Sequence, residues 1–298
     1  MATGTILQHS MSGRKGAKKA CCASYFLGQM QIESLKLTTY SRRRDYLQRS
    51  KVWVSELAYW SSFGASVIGP GHVRAQMPNQ DAWCSFNHSY CKGIAVSDGL
   101  GSKQFSHYGS AAACMSVERA VYETWIDDNE SIDEDFLERI KGYWLDYIRP
   151  LSPKTAAATC IFGIVYQSKV WIGLLGDGCA AMVKNSGEVV LITDNKAGSF
   201  SNMTEALSPN TRSDDWKFAY SPEDSCSAVV LCTDGISDDM PDEETLKSFV
   251  REFSKSQLDS SAVFSAREAR RMLEDWPTPK HTDDKTIACL LRKGAEDA

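Results

Sequence analysis

The sequence predicts an α+β fold, with antiparallel strands that follow one another and helices packed beside them. Two observations carry that expectation. Apolar runs of strand length come in consecutive groups, above all between residues 156 and 233. Segments with helical spacing fall between those groups and not after every strand, which excludes the regular β-α-β alternation of a parallel sheet.

The ordered pattern begins near residue 60, and Gly93-Ile94-Ala95-Val96 is the first short strand. Residues 106–126 form a helix, because Ala113, Val117, Ala120 and Val121 recur on one helical face. Ile132, Phe136, Ile140 and Trp144 repeat every fourth residue and give a second helix that ends at Pro150. Strands then follow at 156–166, 169–175, 180–184, 188–193, 215–220 and 227–233. A third helix carries Leu246, Phe249, Val250 and Phe253 behind the acidic turn Asp242-Glu243-Glu244. A fourth covers about 262–275, and a last strand covers 286–292.

Charge divides the chain. Residues 1–52 hold ten basic and two acidic residues, a net +8, whereas residues 53–298 carry 23 basic and 36 acidic residues, a net -13. This contrast predicts a domain boundary near residue 52: an acidic domain at 53–298 behind a basic, acid-poor extension at 1–52, either a flexible arm or a targeting segment. With a total net charge of -5, the chain lacks the positive field that non-specific nucleic-acid binding needs. No apolar run approaches the roughly 18 residues of a membrane span. The ten cysteines show no CxxC spacing, and several sit in apolar runs, so reduced thiols and a cytoplasmic protein are expected.

Chemistry gathers at strand ends. Three Asp-Gly pairs, Asp98-Gly99, Asp177-Gly178 and Asp234-Gly235, each follow an apolar run. Asp283-Asp284 directly precedes the last strand, and Asp81 sits in Pro78-Asn79-Gln80-Asp81 before Ala82-Trp83. Singly, Asp-Gly is a common turn. Together, carboxylates at one edge of a sandwich would repel and raise one another's pKa. Hard divalent cations such as Mg²⁺ or Mn²⁺ relieve that repulsion and prefer oxygen ligands.

The ordered motifs PNQDA (78–82), VSDGLGS (96–102), GDG (176–178), CTDGISD (232–238) and DDKT (283–286) resemble the protein phosphatase 2C family, in its bacterial-type branch. These are metal-dependent serine/threonine phosphatases, and the resemblance spans residues 64–292. It implies a four-layer α-β-β-α sandwich of two antiparallel sheets flanked by helices, with metals at one end. It implies two Mn²⁺ or Mg²⁺ ions, with a third in some members. Asp98 matches the aspartate that bridges two ions, and Gly99 the glycine that lends its carbonyl. Asp234 and Asp283 match the remaining direct ligands, and Asp81 the acid that reaches the site through water. Asp177 matches the acid linked to the third ion, and Asp284 supports the ligands from behind. A metal-activated water then hydrolyses phosphoserine or phosphothreonine in a protein substrate, opposing a serine/threonine kinase.

The sequence departs from the family where some members carry a histidine after Asp-Gly, since Leu100-Gly101-Ser102 follows here. That gap leaves open a catalytically inactive, phosphatase-like binding module. His72 and Arg74 precede Asp81 where the family often has a phosphate-contacting basic residue, at an unusual spacing. Gly99-Leu100-Gly101-Ser102-Lys103 lacks the full pattern of a nucleotide-binding loop. His107, His281 and the tryptophans read as packing or surface residues, and Asp238-Asp239 as a loop start.

Overall fold

The computed structural model describes residues 59–194, 205–277 and 282–294. The basic segment 1–52 with its expected boundary, and His281, lie outside the described residues. Cα proximity groups residues 58–298 as one compact unit.

The elements run β1 (Tyr59–Val67), α1 (Pro70–Ala75), β2 (Ala82–Asn87), β3 (Cys91–Ser97), α2 (Ser106–Ile126) and α3 (Glu134–Tyr147). Then come β4 (Cys160–Tyr166), β5 (Lys169–Leu175), β6 (Cys179–Lys184), β7 (Val189–Thr193), β8 (Lys217–Pro222) and β9 (Cys226–Cys232). The chain closes through α4 (Asp234–Ser237), α5 (Glu243–Ser256), α6 (Ala262–Glu274) and β10 (Lys285–Lys293). Two five-stranded sheets result, in the orders β1-β10-β9-β6-β7 and β2-β3-β4-β5-β8. Every described strand pairing is antiparallel.

Both faces of the sheets' central strands are covered, which is why β3, β4, β5, β6, β9 and β10 read as apolar runs and not as alternations. In β4, Ile161 and Val165 face the other sheet, with Ile94, Leu174, Met182, Val229 and Leu290. Cys160, Phe162, Ile164 and Tyr166 face the opposite way, onto Val117, Val121, Phe136 and Trp144 of α2 and α3. On the far side, Leu246, Val250 and Phe253 of α5 and Ala269 and Leu273 of α6 cover Val230, Cys232 and Cys289. The layers are therefore helices, sheet, sheet, helices. Side chains cap three of these helices: Asp133, Asp242 and Ser261 accept from Phe136, Thr245 and Phe264 backbone N–H groups.

Four elements, β1, β2, α1 and α4, were not separately expected from the sequence. β1 mixes Trp60 and Phe63 with Ser61, Ser62 and Gly64, and its pairing with β10 supplies the order that its composition does not. β4 begins at Cys160 and not at 156, because Ala158 bridges Gly99 outside the strand.

Candidate metal centre

The acids reach one end of the sandwich because the chain turns there repeatedly. Asp98 is the first residue after β3. Thr159 holds it twice: the Asp98 amide donates to Thr159 Oγ1 at 2.8 Å, and the Thr159 amide donates to the Asp98 carbonyl at 2.8 Å. Gly99 donates its amide to the Gln80 carbonyl at 3.1 Å. A Cβ on Gly99 would stand 2.7 Å from the Ser106 carbonyl oxygen and 2.8 Å from that of Gln80, so no larger residue fits this approach.

Asp81 immediately precedes β2 and is buried. Its Oδ2 accepts from Thr233 Oγ1 at 2.9 Å, a bond that ties one sheet's end to the other's. The same Thr233 oxygen accepts the Thr286 amide at 3.1 Å. Asp177 lies where the chain leaves β5 in one sheet to enter β6 in the other. Gly176 and Gly178 flank it at φ +101° and +109°, a left-handed conformation that glycine adopts without steric cost. Asp234 opens α4, and Asp283 stands two residues before β10.

Asp98, Asp177 and Asp234 each bring a carboxylate oxygen within 4.8 Å of the others. Burial is the largest effect on the electrostatics of the cluster, and neighbouring acids add to it. Desolvation pushes Asp81 up to about 7, against the hydrogen bonds it makes with Asp98, Thr286 and Thr233. Desolvation and the charges of Asp81, Asp234 and Asp283 hold Asp98 well above the usual carboxylate range. Desolvation, then Asp177, Asp283 and Asp81, push Asp234 up to about 8. Among the described residues, no lysine or arginine is a leading influence on these three. A donor set of hard oxygens with uncompensated charge fits Mg²⁺ or Mn²⁺.

The two adjacent acids of the DDKT motif part company. The Asp283 side chain is 46% exposed, whereas that of Asp284 is 1% exposed. Asp284 accepts from the Gly69 amide at 2.7 Å, the Gln80 amide at 2.6 Å and His72 Nδ1 at 2.8 Å. It therefore fastens α1 and the segment before Asp81 to β10. His72 Nε2 lies 3.8 Å from Asp283 Oδ1, which places the imidazole beside the acidic cluster. Arg74 is exposed on α1 and makes no ion pair with these acids among the described residues.

Sequence reasoning missed Thr159, Thr233, Gln80 and Ser110. The Ser110 hydroxyl donates to the Gln80 carbonyl at 2.6 Å, the oxygen that also receives the Gly99 amide. Only Thr233 carried a signal, through its place beside Asp234. The eight described cysteines are free thiols. Burial pushes Cys91 up to about 12 and raises Cys160 and Cys289 as well, which disfavours a thiolate nucleophile.

The family model described as protein phosphatase 2C matches residues 68–276, more than half of the chain. The chain belongs to the protein phosphatase 2C family. Solved structures share its fold at low identity. A bacterial serine phosphatase gives a TM-score of 0.57 at 16% identity, over 79% of this chain and 99% of that one. Stp1 from Staphylococcus aureus gives 0.55 at 15%, over 80% and 97%. The catalytic domain of PstP, in complex with 2 manganese ions, gives 0.51 at 16%, over 79% and 99%. No curated protein sequence matches. The four-layer architecture expected from the motifs is thus the architecture of the family. No described helix is long and apolar enough to cross a membrane.

Proposed function

We propose that this chain is a metal-dependent serine/threonine protein phosphatase. The observation that supports it most is the convergence of Asp98, Asp177 and Asp234 within 4.8 Å, beside buried Asp81, with no cationic partner at Asp81, Asp98 or Asp234 among the described residues. Two Mn²⁺ or Mg²⁺ ions, when bound, would supply charge neutralisation and a water made nucleophilic near neutral pH. Asp98, Asp234 and Asp283 would hold them directly, together with the Gly99 carbonyl, and Asp177 would hold a third.

Asp81 would orient and accept hydrogen bonds from water in the site. Thr233 aims its carboxylate, and the same hydroxyl joins the two sheet ends. Thr159 fixes the backbone of Asp98, so its carboxylate needs little reorganisation. Catalysis on this account is positioning and electrostatics. Water forms the new bond to phosphorus and releases a proton, the bond to the seryl or threonyl oxygen breaks, that oxygen takes up a proton from solvent water, and no side chain becomes phosphorylated. The substrate would be a protein phosphorylated by a serine/threonine kinase, in the cytoplasm. Residues 53–298 would form the catalytic domain and 1–52 a basic extension.

The test is hydrolysis of a phosphoserine peptide by the full chain, with and without Mn²⁺. Turnover that requires Mn²⁺ and is lost in Asp98→Ala supports the proposal. Mn²⁺ binding without turnover on any phosphopeptide would favour the inactive binding module instead.

A further inference from the structure

His72 occupies an unusual place for an imidazole. It sits on a six-residue helix, α1, between the two acids that precede β10. Its Nδ1 is 2.8 Å from Asp284 Oδ2. A carboxylate only accepts, so Nδ1 carries a proton, which leaves Nε2 as the ring atom that can lend a lone pair to a cation. Nε2 makes no hydrogen bond among the described residues, and the side chain is only 14% exposed. It faces Asp283 Oδ1 at 3.8 Å, an oxygen that accepts the Asp284 amide at 2.9 Å and keeps a second lone pair. Donor atoms at that separation can share one cation at about 2.1 Å each at a wide angle, and a small closing rotation of the exposed Asp283 side chain narrows it.

Asp284 itself is not free to bind a cation. Its Oδ1 accepts from the Gly69 amide, and its Oδ2 accepts from the Gln80 amide and the imidazole. The trio of His72, Asp283 and Asp284 therefore resolves into two donors and one orienting group. A carboxylate behind a histidine is the usual support of a metal-binding imidazole: it fixes the tautomer and raises ligand basicity. Asp283 also influences Asp98 and Asp234, so the two donors adjoin the carboxylate cluster and are not a separate patch.

We infer that His72 Nε2 is a nitrogen ligand to the cation held by Asp283, with Asp284 as its positioning residue. The inference rests on the metal-dependent reading of this site. It also gives the site a preference. Mg²⁺ demands near-ideal octahedral oxygen ligation and gives up water reluctantly, whereas Mn²⁺, at the weak end of the first-row series, tolerates one nitrogen among its oxygens, so nitrogen ligation disfavours Mg²⁺ more than Mn²⁺.

Electron spin echo envelope modulation on the full chain loaded with Mn²⁺ alone tests it without an activity assay. The expected result is a ¹⁴N coupling of a directly bound imidazole in the wild type, absent in His72→Gln. Calorimetry should show Mn²⁺ affinity falling at least about 10-fold in His72→Gln, and Mg²⁺ affinity falling less. Mn²⁺ bound without ¹⁴N coupling in the wild type would overturn the inference and leave the phosphatase reading standing. A coupling that persists in His72→Gln would overturn it too. No Mn²⁺ binding to the wild type would overturn both.

Discussion

Between the two sheets, Ile94, Ile161, Leu174, Met182, Val229 and Leu290 meet with at most 1% exposure. A few residues along the same strands, Asp81, Asp98, Asp177, Asp234 and Asp283 gather at the sheet ends. The first region is complete as the protein folds: each side chain buries apolar surface against another. The second is incomplete: Asp81, Asp98 and Asp234 are desolvated beside one another and beside further acids. Folding energy from the first region holds the second in a geometry that charge alone would disperse. The difference teaches that the acidic end is built for something added to it, and that stability and activity should separate on mutation.

The largest separation is expected at Asp98. Asp98→Asn should lower phosphopeptide turnover by about 1,000-fold or more, equivalent to roughly 4 kcal/mol of lost stabilisation. The same variant should leave the metal-free protein as stable as the wild type or more so, by urea titration. A large loss of metal-free stability would break the comparison. Phe162→Ala acts from the other side. Phe162 is fully buried, with its ring at 5.4 Å and near-perpendicular to Phe136, and truncation should cost about 3–5 kcal/mol by the same titration. Metal affinity of the remaining folded protein should change little.

Thr233 belongs to both regions, since it accepts the Thr286 amide and donates to Asp81. Thr233→Val should cost about 1–3 kcal/mol, because a buried amide loses its acceptor. It should also lower turnover, which calorimetry and kinetics on one preparation would separate. Ser261→Ala removes only the cap of α6 and should cost about 0.5–1 kcal/mol in thermal melts, with turnover unchanged.

Much of this was legible in the sequence, and the reason differs between the two regions. Strands such as β4 and β9 were visible because both faces are covered, which leaves their apolar runs unbroken. β1 was not, since Ser61, Ser62 and Gly64 interrupt it and its order comes from pairing with β10. α1 was hidden by Pro70 and Gly71, which weaken helical propensity even though proline is favoured in a first turn. The acids of the site announced themselves by position at strand ends. Their supports did not: Thr159 and Gln80 act through backbone and hydroxyl contacts that only the fold brings together. The split between Asp283 and Asp284 was legible only through the family resemblance, which set Asp283 toward the ions and Asp284 behind it; composition alone does not separate adjacent residues of one motif.

The central claim, that cations complete the acidic end, is tested most directly by thermal melts with and without Mn²⁺ at pH 5.5 and pH 8. In the metal-free folded protein Asp81 is raised to about 7 and Asp234 to about 8, from an ordinary value of 3.8. The folded state then binds protons that the unfolded chain has released, so the contribution of these two groups to stability is fullest below pH ~4 and is lost as pH rises through about 7 to 8. Mn²⁺ replaces those protons, and its stabilising effect should be larger at pH 8 than at pH 5.5 and largely absent in Asp98→Ala. A melting temperature that ignores Mn²⁺ at both pH values would contradict the account.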